Sequence, residues 1–82
     1  MDIAELMRRL AASGVTAILK ADHERFASGG DYWTIVISGG ALGADGLIRA
    51  EENSLRGCLQ VALTRLRARC HEWDWVADFT PS

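Results

Sequence analysis

Apolar residues recur at three- and four-residue steps near both ends of the chain and close to every second position between them. Ile3, Leu6, Met7 and Leu10 form one stripe over residues 2–12, with Asp2, Glu5, Arg8 and Arg9 left for solvent, so the spacing predicts a first helix. Its acids come early and its bases late, which suits the helix dipole. Gly14 is placed to stop it in a left-handed conformation, with Val15 just beyond able to touch Leu10. The β-branched and apolar run from Val15 to about Asp22 predicts a strand, and DYWTIVISG from Asp31 predicts a second. Residues 26–30, with Ser28, Gly29 and Gly30, read as the turn between them. On the second strand Trp33, Ile35 and Ile37 alternate with Tyr32, Thr34 and Val36. Neither set is polar throughout, so one face should meet the helices and the other needs partial cover.

A glycine-rich stretch, SGGALGADG, leads to a short third strand at residues 47–50. Glu51 and Glu52 then run into Asn53 or Ser54 as the N-cap of a second long helix reaching about Cys70. Its apolar arc holds Leu55, Cys58, Leu59, Ala62, Leu63, Leu66 and Cys70, wide enough to seal one face of a sheet. The order α-β-β-β-α implies a single small α+β domain over residues 1–72. We expect a three-stranded antiparallel sheet with two helices on one face. Residues 73–82 form a tail whose Trp73, Trp75, Val76 and Phe79 are too apolar to be left in water, so the tail should pack on the domain or on a neighbour.

Composition narrows the class. The chain has 82 residues, 49% hydrophobic and 24% charged, which suits one folded domain and not a disordered segment. Net charge is −2, so the general positive field that draws nucleic acid or anionic membranes is missing. The sequence has neither a long apolar run nor a basic leader followed by an apolar segment, and a cytoplasmic, membrane-free protein is expected. Eight of the nine basic residues are Arg, beside twelve Ala, a usage typical of GC-rich coding and pointing to a bacterial source. Cys58 and Cys70 sit about 18 Å apart if one helix holds both. That is too far for a disulfide or a shared metal, so two buried thiols are expected.

No residue set carries an obvious chemistry. The glycine-rich stretch lacks the Lys-Ser/Thr ending of a phosphate loop and is followed by a strand, so a flexible hairpin loop is expected. His23 and His71 have acids as sequence neighbours, and His71 adjoins Cys70. Adjacent residues on a helix point about 100° apart, which makes a poor catalytic pair. No metal, cofactor or catalytic set is therefore expected.

The second long helix is the informative element. Residues 53–70 carry Arg56, Arg65, Arg67 and Arg69 and no acid, a segment of +4 inside an acidic chain. Arg56 and Arg67 border one side of the apolar arc and Arg65 and Arg69 the other, positions suited to covering the core edge. Between those flanks Gly57, Val61, Thr64 and Ala68 form a line of small uncharged residues. Such a line lets a second element come close: the first helix, the tail or a symmetry mate. With Trp73 and Trp75 it makes the candidate interaction surface.

The α-β-β-β-α order is similar to the double-stranded-RNA-binding-domain fold and to the HicA-type RNA-cleaving toxins that share it. The HicA likeness covers residues 3–37, an opening helix IAELMRRLAASG and a strand ending KADHERF, where the family has Lys-Gly-Ser-His. The resemblance implies a catalytic role for His23, although Ala21 and Asp22 replace the family's Gly and Ser. The acidic Glu51 and Glu52 stand where double-stranded-RNA-binding domains carry lysines. The leading expectation is a non-catalytic protein-interaction or oligomerisation module with a protein partner or a homodimer. The alternative is an RNA-associated protein using His23.

Overall fold

The computed structural model describes residues 2–43, 46–70 and 72–79. The first helix, α1, spans Ile3–Ala12, with the Asp2 carboxylate accepting the Glu5 N–H at 3.0 Å. Gly14 closes it at φ +91°, where Val15 N–H reaches the Leu10 carbonyl and Gly14 N–H the Ala11 carbonyl. That is the Schellman ending expected from the sequence.

Three antiparallel strands follow: β1 (Thr16–Ala21), β2 (Trp33–Ser38) and β3 (Ile48–Glu52), with β2 central. The fold class is the expected α+β with its α-β-β-β-α order, with one addition. Residues expected as a turn belong partly to a short helix, α2 (His23–Ser28), between β1 and β2. The Asp22 side chain caps it by accepting N–H groups of Glu24 and Arg25, and Gly29 at φ +81° ends it. β3 also runs two residues further than expected. Glu51 and Glu52 are strand residues, and Ser54 alone caps the long helix α3 (Leu55–Arg69), whose first turn holds no acid.

Alternation divides the sheet. Ile35, Ile37, Ile48 and Ala50 are buried in one core with Leu6 and Leu10 of α1 and Cys58, Leu59, Ala62, Leu63 and Leu66 of α3. Both helices therefore cover the same face. The other face carries Ile18, Val36, Arg49 and Glu51; Ile18 and Arg49 are exposed, and α2 reaches this face through Arg25. Arg25 Nη1 reaches Glu51 Oε2 at 2.9 Å, crossing the row in which Lys20, Thr34 and Glu51 are register partners. Thr34 beneath it is only 1% exposed. After α3, a 3₁₀ turn at Asp74–Asp78 buries Val76 in the core.

Candidate functional site: a groove at the open edge of β3

β3 is an edge strand, and the direction of its free backbone groups follows from one bond. Asp22 N–H donates to the Tyr32 carbonyl at 2.8 Å, so these two form a hydrogen-bonded pair of the antiparallel ladder. Alternation then turns the backbone of Thr34 and Val36 toward β1 and that of Ile35 and Ile37 toward β3. By the same count the N–H and C=O groups of Leu47, Arg49 and Glu51 point away from β2, to the open edge. The Arg49 carbonyl accordingly accepts a hydrogen bond from Arg65 Nη1 of α3 at 2.6 Å.

Beside this edge lies an open groove of about 450 Å³ lined by Leu47, Ile48, Arg49, Arg65, Ala68 and Arg69. The strand supplies one wall and the last two turns of α3 the other. Three arginines line it, and their guanidinium groups differ in state. Arg49 is bound to Glu51, Nε to Oε1 at 2.8 Å. Arg65 is oriented by the Arg49 carbonyl, and among the described residues neither it nor Arg69 makes an ion pair. Two unneutralised cations thus face a partly apolar groove. Glu51 is shared by Arg49 and Arg25, and its hydrogen bond from Arg49 is the first cause of a carboxyl pKa held below the usual range.

The structure sorts the sequence candidates. Ala68 and the Arg65 and Arg69 flank enter the groove. Thr64 is exposed, while Gly57 and Val61 are half-buried, Val61 against the margin of the core. Trp73 and Trp75 stack on each other at 5.9 Å, and the Arg9 guanidinium lies 4.8 Å from the Trp75 ring centre. Both are half-buried against the core. His23 opens α2 on the surface, and its imidazole makes no hydrogen bond or ion pair among the described residues. His71 lies outside the described residues. Cys58 and Cys70 are buried free thiols, and burial pushes both pKa values up, away from the reactive thiolate. Among the described residues, no three of His, Cys, Asp and Glu gather as a metal site would require, and no helix is long and apolar enough to cross a membrane.

Sequence reasoning missed Leu47, Ile48 and Arg49 as groove residues. The signal was there, because Arg49 and Glu51 alternate on one strand face, but a net charge over residues 31–52 averages it away. Compared with known protein families, curated proteins and solved structures, the chain matches none.

Proposed function

We propose that this chain is a non-catalytic protein-interaction module that meets its partner with the open edge of β3 and the groove beside it. The observation that carries the reading is the groove itself: Arg65 and Arg69, with no carboxylate partner among the described residues, beside Ile48 and Ala68 and next to a strand edge that no other strand pairs. Charge gives such a surface specificity and its apolar floor gives contact area. An RNA-binding role has the α-β-β-β-α arrangement in its favour, but an arrangement of elements does not carry a function.

The test is retention of a partner from nuclease-treated extract of the source cells by the immobilised chain. The unaltered chain is expected to hold a protein at moderate salt, and a folded Arg65→Glu/Arg69→Glu variant to lose it. Retention of nucleic acid before nuclease treatment, falling steeply with salt, would replace this reading with the RNA one.

A further inference from the structure

We infer, resting on the protein-interaction reading above, that the partner is a second copy of this chain, with β3 of the two copies pairing antiparallel about a two-fold axis at Ala50. The result is one continuous six-stranded sheet.

The edge is fit for pairing. β3 has no proline and keeps an unbroken register with β2 from Ile48 to Glu52, so no bulge twists the edge away. On its helix side Ile48 and Ala50 are apolar and buried, and Glu52 at its end is charged. Proline and bulges are devices that natural edge strands use against association, and β3 has neither; the charges it does carry, Arg49, Glu51 and Glu52, restrict which strand it can accept. Among the described residues, what occupies the edge is one side-chain bond, from Arg65 to the Arg49 carbonyl. A carbonyl oxygen has two lone pairs, so it can accept a ladder bond beside that one or instead of it.

The sequence of β3 is complementary to itself in one register. About an axis at Ala50, Arg49 faces Glu51 of the second copy, and Glu51 faces its Arg49. Both are positions whose backbone groups point outward, so each pair exchanges two ladder bonds. Sliding the strands by two residues either way sets Arg49 opposite Arg49 or Glu51 opposite Glu51, and like charges directly opposite destabilise a sheet. The ion pair already present within each strand becomes one side of a ring of four alternating charges. The other open edge lacks this pattern, since the matching face of β1 carries Thr16, Ile18 and Lys20.

The helix side of the same pairing supplies what the groove lacks. With Arg49 opposite Glu51, Ile48 stands opposite Glu52 of the second copy, on the face toward α3. Its carboxylate, which in the single chain lies beside Gly57 at the start of α3, turns in the pair into the groove walled by Ile48, Arg65, Ala68 and Arg69. Arg65 and Arg69 then acquire a counter-charge, and the two-fold axis repeats the contact. Val61 and Ala68 lie four before and three after Arg65, on the stripe of α3 that borders the edge. Small side chains there let the two copies of α3 approach side by side.

Sedimentation equilibrium over a range of concentrations, together with amide hydrogen exchange, tests the pairing. The expected mass is twice the 9.0 kDa of one chain. The amides of Arg49 and Glu51 should gain protection as concentration rises, whereas those of Ile48 and Ala50, already bonded to β2, should be protected throughout. Arg49→Glu is expected to weaken dimerisation about tenfold by opposing like charges twice, and Arg49→Glu/Glu51→Arg to recover much of it. A single-chain mass at every concentration overturns the inference, as does a dimer whose Arg49 and Glu51 amides stay unprotected. If Arg49→Glu does not fold, the exchange pattern of the unaltered chain still decides. A monomer whose partner capture still depends on Arg65 and Arg69 defeats the second-copy inference alone and leaves the interaction reading standing.

Discussion

Thr34 is the one described residue whose buried side-chain oxygen finds no hydrogen-bond partner in the protein. Alternation along β2 puts it on the face away from α1 and α3, where a threonine normally meets water. It is nevertheless only 1% exposed, in register with the Glu51 that Arg25 bonds at 2.9 Å. The hydroxyl therefore lost water without a replacement, at a cost on the order of 1 kcal/mol. Thr34→Val keeps the branched shape and the strand preference and removes the unsatisfied group. It is expected to raise the stability by about 1 kcal/mol, read as a higher urea midpoint at unchanged slope. A lower midpoint would mean that the hydroxyl is bonded after all. The face Thr34 occupies was legible from the sequence; its burial was not, because alternation alone would leave that face of β2 to solvent.

The element that periodicity did not predict is α2, and its case shows what periodicity can and cannot carry. The helix α1, the three strands and α3 are legible because each repeats its apolar spacing long enough to distinguish 3.6 from 2. Residues 23–28 make less than two turns, with a mostly exposed surface and no stripe, so Ser28-Gly29-Gly30 dominates the reading as a turn. The real signals are local: Asp22 as a cap and Gly29 as a left-handed stop. The groove was half legible for a related reason. Arg65, Ala68 and Arg69 stand out on an acid-free helix, but their partner wall lies sixteen residues earlier in β3 and is joined to them only by tertiary contact. Since α2 depends on its cap more than on packing, Asp22→Ala should cost about 1 kcal/mol and act locally. Exchange of the α2 amides is expected to speed up while that of Ile35 and Ile37 in the sheet centre changes little. Uniform acceleration across the chain would show instead that α2 is built into the core.

For the molecule as a whole, the displaced pKa values define a window of pH. Glu5 is lowered first by its hydrogen bond from Arg8, Asp22 first by the backbone N–H of Glu24, and Glu51 first by its hydrogen bond from Arg49. A carboxylate whose folded pKa lies below its unfolded value contributes stability that is complete above the unfolded value and is lost as pH falls through the folded one. The ordinary values are 4.5 for the two glutamates and 3.8 for the aspartate, so the acid limb begins below about pH 4.5. The cysteines act in the opposite direction. Burial, their largest cause, raises Cys58 and Cys70 above the ordinary 9.0, so the folded state resists losing those protons and stability falls as pH climbs past that value. A thermal midpoint measured against pH should be level between about pH 5 and about pH 8.5 and decline on both sides. The two limbs separate by substitution. Cys58→Ala/Cys70→Ala, though less stable overall, should flatten the decline between about pH 9 and about pH 10, below the range where Tyr and Lys titrate, and leave the acid limb in place. Glu51→Gln should soften the acid limb alone. Because Glu51 also faces Arg49 of the second copy in the proposed pairing, its protonation removes both charge pairs across the axis. The dimer is therefore expected to dissociate along the same acid limb, and a sedimentation mass that stayed double well below pH 4 would separate the edge pairing from its charges.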